Sequence, residues 1–225
     1  MAIKLGMEAK LLYKVGGQAG GGAIADVLTG KVNPSGKLSE TFPQRLEDTP
    51  AFLDFPGRNG HARYGEGLFI GYRYYDKKKI QPLFPFGHGL SYATFSYSGI
   101  QTSAAAAKDT DVVSVEAKVK NTGKVTGKEV VQLYVRNSAA ELFRPEKELK
   151  HFARVELKPG EEKTVRFELS YRDFAHYDAR VHSWQASSDP YTILVGGSSA
   201  SLPLEATVDI QATGLKYPKL TRNSL

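Results

Sequence analysis

Residues 112–136 of the chain read VVSVEAKVKNTGKVTGKEVVQLYVR, in which two alternating runs flank the turn Asn121-Thr122-Gly123. Apolar side chains at every second position predict β-strands over residues 112–120 and 129–136, each with one buried face. Further runs of this kind lie before and after the pair. They cover residues 95–101, 149–157, 163–169, 181–185, 191–195 and 204–210. Seven or more short strands separated by turn signals indicate an all-β sandwich.

Two details of this β-rich region lead to further expectations. The turn signal Pro159-Gly160-Glu161 lies between residues 149–157 and 163–169, and it predicts that these two runs form a hairpin. Trp184 is the single tryptophan of the chain, and we expect its ring in the core of the sandwich.

The N-terminal residues have a different character. Apolar side chains recur at helical spacing after a glycine-rich stretch, at Ala23, Ile24, Val27 and Leu28. Gly30 is placed to end this helix in a left-handed conformation. The run 37–42 (KLSETF) then predicts a short strand that Pro43 ends. One helix and one strand cannot close a core alone, so residues 1–43 are interpreted as the remnant of an α/β domain.

Residues 44–94 are rich in aromatic residues and prolines but show no regular period. The aromatic residues are Tyr64, Phe69, Tyr72, Tyr74, Tyr75, Phe84, Phe86 and Tyr92. Flexible linkers are poor in such side chains, so we expect an irregular connector whose rings are buried against a neighbouring surface. The predicted fold is therefore mainly β. A partial α/β segment (1–43) and the connector (44–94) precede the sandwich (95–211), and a tail follows (212–225).

Composition argues against several classes of function. Thirty Lys and Arg against 24 Asp and Glu give a formal net charge of +6, but these residues form no basic stripe interleaved with aromatics. No nucleic-acid partner is therefore predicted. The absence of cysteine excludes disulfides and thiolate metal sites. Lysines interrupt residues 1–15 too often for a signal peptide or a membrane span, so we expect a soluble chain and favour the cytoplasm.

No group of side chains has the sequence spacing of a catalytic or metal site. The five histidines are His61, His88, His151, His176 and His182, and none of their spacings is that of a metal-binding motif. We expect structural or surface roles for them, with His88 bonded to closely packed backbone between its glycine neighbours. Asp54, Glu66 and Asp76 are carboxylates of the connector, but nothing marks one as an acid and another as a nucleophile.

Several strings of residues match one known pattern in order. NPSGKL (33–38) precedes the connector, which contains YGEGLFIGYRYYD (64–76) and PLFPFGHGLSY (82–92). VKNTG (119–123) and GKEVVQLYV (127–135) lie in the sandwich. Together these strings resemble the C-terminal part of glycoside hydrolase family 3, of the β-glucosidase type. The resemblance includes the end of that family's α/β sandwich domain, its connector and its immunoglobulin-like, fibronectin type III-like domain.

The resemblance implies hydrolysis of terminal β-D-glucosyl residues with retention of configuration. In that family an Asp on a TIM-barrel domain is the nucleophile, and in many members a Glu of the α/β domain is the acid/base. Neither position falls within the matching strings, so no catalytic residue is carried over, no substrate-binding residue is assigned, and no metal or cofactor is expected. The expected partners are the catalytic domains, in the same chain or a separate one, and a β-glucoside or oligosaccharide substrate, with a xyloside as the alternative.

Three roles for these residues follow as hypotheses. The first is structural, in which the connector and sandwich brace the catalytic domains and have no activity of their own. The second is a carbohydrate-binding module whose exposed aromatic residues stack on sugar rings; the candidates are Tyr64, Tyr72, Tyr74 and Trp184. The third is a protein-interaction module that associates through apolar surface on the connector and the helix 23–28.

Overall fold

The structure of the protein, a computed structural model, describes residues 2–4, 10–12, 18–137 and 143–214. Near its start, β1 (Ala2–Lys4) and β2 (Lys10–Leu12) pair with each other in antiparallel fashion. Two helices follow, α1 (Gly20–Leu28) and α2 (Tyr72–Lys78). Within the described ranges, every helix is too short or too polar to cross a membrane.

Most of the remaining elements build a sandwich of two β-sheets. In chain order the remaining elements are β3 (Phe95–Thr102), β4 (Ala106–Lys108), β5 (Val113–Asn121), β6 (Gly127–Asn137), β7 (Glu148–Leu157), β8 (Glu162–Leu169), α3 (Tyr171–Phe174), β9 (His176–Asp178), β10 (Ser183–Gln185), β11 (Pro190–Gly196) and β12 (Leu204–Gln211). One sheet of the sandwich has the order β4-β12-β11-β6-β7 and the other the order β3-β5-β8, while β9 and β10 pair separately as a two-stranded sheet. Only β4 and β12 pair in parallel among these neighbours in the described chain. The predicted mainly β sandwich is confirmed.

The alternation that predicted the strands also defines the core. The core residues of β5 and β6 are Val113, Val115, Ala117, Val119, Val131, Leu133 and Val135, and all belong to one buried cluster. Burying a Val or Leu side chain stabilises the folded chain by about 1.5–3 kcal/mol relative to leaving it exposed. The interior between the two sheets is therefore the main source of stability in this part of the protein.

The five-stranded sheet is also covered on part of its outer face. Tyr134 of β6 and Leu194 of β11 alternate with core residues and so point away from the core, yet they are 0% and 6% exposed. Both pack in a second buried cluster with Tyr72 of α2, and Phe86 packs against this cluster. The expectation that rings of the connector are buried against a neighbouring surface is confirmed for Tyr72 and Phe86, and the surface is the sandwich itself. It is wrong for Tyr64, whose side chain is 84% exposed.

Two segments far apart in sequence interlock through their main chains. The Leu38 amide donates to the His88 carbonyl oxygen at 2.8 Å, and the Gly87 amide donates to the Leu38 carbonyl oxygen at 2.7 Å. Gly89 packs so closely on Gly36 that a Cβ at position 89 would lie 2.2 Å from the Gly36 carbonyl oxygen. Only glycine fits this approach, and residues 36–38 are thereby held against residues 87–89.

Asn33 strengthens the same interlock with its side chain. Its Oδ1 accepts hydrogen bonds from the Ser91 hydroxyl and the Tyr92 amide, both at 2.9 Å. Its Nδ2 donates to the carbonyl oxygen of Thr126, also at 2.9 Å. The Tyr92 hydroxyl in turn donates to the carbonyl oxygen of Val27 in α1 at 2.7 Å. The strings NPSGKL and GHGLSY are therefore two halves of one contact.

The strand predicted for residues 37–42 is wrong. The segment is extended, but its regular pairing is a single bridge between Phe42 and Phe84. Its partner, residues 82–88, contains Pro82 and Pro85, which have no amide hydrogen to donate to a ladder. The pairing that the alternation predicts is consequently interrupted before a strand can form.

The hairpin predicted for residues 149–157 and 163–169 is also wrong. β7 pairs with β6, whereas β8 pairs with β5 in the other sheet. The turn at Gly160 therefore carries the chain from one sheet to the other. Asn121 holds this corner, because its Nδ2 donates to the Leu157 carbonyl oxygen at 2.9 Å and its carbonyl oxygen accepts from the Gly160 amide.

The other local predictions have mixed outcomes. The predicted N-terminal helix is confirmed as α1, and Gly30 follows it with a φ of 76°. The connector was predicted to be irregular throughout, but it contains α2 and a single 3₁₀ turn at Leu46–Asp48. Most of the predicted tail, residues 215–225, lies outside the described residues.

Replacing Gly89 with alanine is expected to destabilise the fold, because the new Cβ would lie 2.2 Å from the Gly36 carbonyl oxygen. Overpacking of this kind costs about 1–3 kcal/mol, so the midpoint of urea unfolding should fall. Gly22→Ala is the matched control, since a Cβ there meets nothing within 4 Å and alanine favours a helix such as α1. Equal midpoints for Gly89→Ala and the parent chain would contradict the interlock.

Candidate functional site

Tyr72 fixes the connector to the sandwich. Its ring centroid lies 5.6 Å from that of Tyr134 and 5.4 Å from that of Phe86. Its hydroxyl accepts a hydrogen bond from the Leu149 amide at 2.8 Å. Burial raises the pKa of Tyr134, whose hydroxyl donates to Gln132 Oε1 at 2.6 Å. Tyr72, one of the aromatic residues predicted for sugar binding, is therefore committed to packing inside the protein.

A buried ion pair joins the N-terminal residues to the sandwich. Lys37 Nζ lies 3.1 Å from Glu129 Oε2, and the Tyr97 hydroxyl donates to Glu129 Oε1 at 2.8 Å. Glu129 is only 5% exposed. Burial, together with the adjacent Glu129 carboxylate, raises the pKa of Tyr97, so its hydroxyl stays protonated and donates. The three side chains line a cleft of about 390 Å³, which His88 also borders.

The alternation in β6 signals the burial of Glu129, although no motif marks this residue as part of a site. Glu129 is in phase with Val131 and Leu133 of β6, so the alternation that buries those residues buries a carboxylate as well. A charge at a core-facing position requires a partner. The partner, Lys37, could not be found in this way because it lies 92 positions away in sequence.

His88 lies in a packed environment, and the hydrogen bond predicted between its imidazole and the backbone stays a prediction. Its imidazole stacks on the Phe84 ring with 4.9 Å between centroids, and its carbonyl oxygen belongs to the interlock. The preceding Gly87 has a φ of 83°, and a Cβ there would lie 2.4 Å from Gln132 Nε2. Small neighbours on both sides therefore let this segment approach the sandwich closely.

The other histidines do not converge on a site. His151 Nε2 lies 3.2 Å from Asp173 Oδ1, and burial lowers the pKa of His176. His61 and His182 are exposed. Over the part of the chain that the structure describes, no group of three or more His, Asp or Glu residues is arranged to hold a metal ion.

The structure brings together two of the three carboxylates of the connector. Asp54 and Glu66 line one cleft of about 400 Å³, where Arg63 also lies. Asp76 points elsewhere and forms an ion pair with Lys147. That none of the three is catalytic stays a prediction.

Tyr64 and Tyr74 differ in their freedom to bind a sugar. The side chain of Tyr64 is 84% exposed, so its ring is accessible to a ligand. Tyr74 is half-buried, and its ring centroid lies 5.5 Å from that of Tyr75.

Trp184 does not lie in the sandwich core, so that prediction is wrong. It belongs to β10, which pairs with β9 outside the two main sheets. The guanidinium carbon of Arg172 lies 3.6 Å from the centroid of its ring, and the Tyr177 ring packs against it with 5.7 Å between centroids. Arg172 thus covers one face of the indole by a cation–π contact.

The N-terminal half of the connector exposes a large amount of apolar side chain. The exposed residues, which we call the apolar surface, are Leu46, Phe52, Leu53, Phe55, Tyr64, Leu68 and Ile70. Leu28 of α1 is 59% exposed as well. Single exposed apolar residues are ordinary, whereas a concentration of them within 25 residues is characteristic of interaction surfaces.

Two family models match the chain. Residues 3–92 match the "Glycosyl hydrolase family 3 C-terminal domain", and residues 129–199 match the "Fibronectin type III-like domain". The second match covers the segment from β6 to β11, which includes strands of both sheets of the sandwich.

Curated relatives match nearly the whole chain over a small part of their own length. "Thermostable beta-glucosidase B" of Acetivibrio thermocellus is 51% identical over 99% of this chain and 29% of its own. "Exo-alpha-(1->6)-L-arabinopyranosidase" of Bifidobacterium breve is 44% identical over 90% of this chain and 26% of its own. The crystal structure of a Bifidobacterium adolescentis GH3 beta-glucosidase superposes with a TM-score of 0.81 at 41% identity, covering 91% of this chain and 30% of that structure.

Replacing Glu129 with Gln is expected to destabilise the protein, because it leaves the Lys37 ammonium half-enclosed without a counter-charge. Removing one partner of a buried ion pair typically costs about 3–5 kcal/mol, which here is an upper bound since Lys37 is 17% exposed. Glu205→Gln is the control, because its pair with Arg136 is exposed and should contribute less than about 1 kcal/mol. Similar unfolding midpoints for the two variants would refute the importance of the buried pair.

Proposed function

Because this chain belongs to glycoside hydrolase family 3 and corresponds to the C-terminal part of its members, we propose that it is the structural part of a β-glucosidase-like enzyme. In this role the connector and sandwich hold the catalytic domains in position, and the described residues supply no catalytic group. The proposed substrate of the whole enzyme is a terminal β-D-glucosyl residue, after the β-glucosidases among its relatives.

The proposal rests on a difference in burial between the two halves of the connector. Its C-terminal half, around Tyr72 and Phe86, is buried against the sandwich. Its N-terminal half presents the apolar surface to solvent. A segment that is anchored rigidly at one end and apolar at the other is suited to hold a second domain against the sandwich, since burying apolar area drives such association. The proposed partner for the apolar surface is the catalytic part of the enzyme.

The choice of substrate is proposed to lie outside these residues. Two relatives of equal identity to this chain, 44%, are named for different activities, a beta-glucosidase and an arabinopyranosidase. A region that is equally similar in enzymes with different substrates is better suited to supporting the catalytic domains than to selecting the substrate. Packing contacts of Tyr72, Tyr74 and Trp184 argue in the same direction, because rings engaged inside the protein are not available for stacking on sugars.

The proposal is tested by an assay of the purified chain on an aryl β-glucoside. No turnover is expected from the chain alone. Activity is expected to return when it is mixed with a separately expressed polypeptide that contains the rest of β-glucosidase B from A. thermocellus. Turnover by the chain alone would contradict the structural role.

Replacing Leu53 and Leu68 together with serine is expected to weaken association with that catalytic polypeptide by at least tenfold. The two side chains are 77% and 59% exposed, so the fold of the chain should be unaffected, while apolar area is lost from the contact. Association is measured by titration calorimetry. The matched control is Phe152→Ser on β7, where an apolar side chain of the sandwich is 70% exposed. If the control weakens binding as much as the double variant, the contact lies on the sandwich instead.

A further inference from the structure

Arg73 of α2 is a half-buried cation that forms no ion pair with the described residues. Its Nε is shielded from solvent and makes no hydrogen bond, and no described carboxylate lies within ion-pair distance of its guanidinium. Its guanidinium carbon lies 5.9 Å from the centroid of the Tyr72 ring, the outer limit of a cation–π contact. Shielding a charge from water without pairing it is unfavourable. A negatively charged partner would therefore stabilise the guanidinium of Arg73 at this position.

Glu148 does not supply that partner. Lys150 Nζ lies 2.9 Å from Glu148 Oε2, and Arg144 Nη2 lies 3.5 Å from the same oxygen. Burial would raise the pKa of Glu148, but Lys150, Arg144 and Arg73 outweigh it and lower that pKa. Glu148 thus forms ion pairs with Lys150 and Arg144, whereas Arg73 acts on it only from beyond ion-pair distance.

The side chain of Arg73 lines a cleft of about 460 Å³, here called the Arg73 cleft. Its apolar walls are formed by Pro43, Pro50, Ile70 and Phe86, and the exposed acidic residue Glu40 lines it as well. Thr41 also lines it, and the Thr41 hydroxyl oxygen is buried with no hydrogen-bond partner in the described chain. Apolar walls with a guanidinium and a hydroxyl complement a group that has an apolar stem and an anionic oxygen.

We propose that the Arg73 cleft receives the carboxylate of an Asp or Glu side chain from the catalytic part of the enzyme. The inference rests on the proposed function and deepens it. Ile70 is a wall of the cleft and also a member of the apolar surface, so a domain that covers this surface also closes the cleft. A carboxylate matches the guanidinium fork in charge and geometry, and it can accept the Thr41 hydroxyl proton in a further hydrogen bond.

The test uses Arg73→Met, which removes the charge and keeps an apolar side chain of similar length. Two effects of opposite sign are expected. The chain alone should melt at a higher temperature, because an unpaired, partly desolvated cation has been removed. Its affinity for the catalytic polypeptide of A. thermocellus β-glucosidase B should fall at least tenfold, because the incoming carboxylate then lacks its partner. The control Lys78→Met removes the same charge from an exposed position on α2. Its melting temperature should stay within about one degree of the parent's, and its affinity for the catalytic polypeptide should stay within about threefold.

Each outcome decides a different question. A lower melting temperature for Arg73→Met would overturn the inference, because Arg73 would then serve the packing of the chain itself. Equal affinities of the parent and Arg73→Met would overturn the inference and leave the proposed function intact. No association even by the parent chain would overturn the proposed function and, with it, the inference. If acetate stabilises the parent but not Arg73→Met, and the partner binds both equally, the cleft binds a free carboxylate instead.

Discussion

The main-chain hydrogen bonds between Leu38 and residues 87–88 are the contact on which the arrangement of the N-terminal part depends. They form only because Gly89 and Gly36 approach within a distance that excludes any side chain. With this contact in place, Lys37 reaches Glu129 on the sandwich, and Asn33 reaches Thr126. A chain of local sterics, hydrogen bonds and one buried ion pair therefore fixes the residues before position 94 to the sheets after it.

The strands of the sandwich could be predicted from the sequence because each has a single buried face with a period of two. The bounds of β5, β6 and β11 agree with the predicted runs within two residues. Pairing between strands could not be predicted, since alternation reports which face is buried and not which sheet a strand joins. The turn at Gly160 illustrates this limit, because a glycine turn serves a hairpin and a crossing between sheets equally well.

The candidate site was less accessible to prediction, because its defining contacts are tertiary. Arg73 lies in a string that predicts membership of a family, yet nothing in that string shows that its guanidinium is shielded and unpaired. Trp184 was misplaced for a similar reason. A lone tryptophan in a strand favours a core position, but β10 pairs only with β9 among the described strands, and Arg172 covers the ring from outside the sandwich.

The apolar surface and the guanidinium of Arg73 meet near Ile70, and they would contribute differently to the docking of a second domain. The apolar surface gains free energy when it is covered, but apolar contact is non-directional and does not fix the position of the covering domain. A guanidinium that meets a carboxylate is directional, because both groups are planar forks that pair in a narrow range of geometries. In the proposed docked arrangement the apolar surface would supply affinity, and the pairing of Arg73 with a carboxylate would fix the position of the covering domain. Both features are unfavourable without a partner, and one docked arrangement would satisfy them together, as the proposed structural role requires.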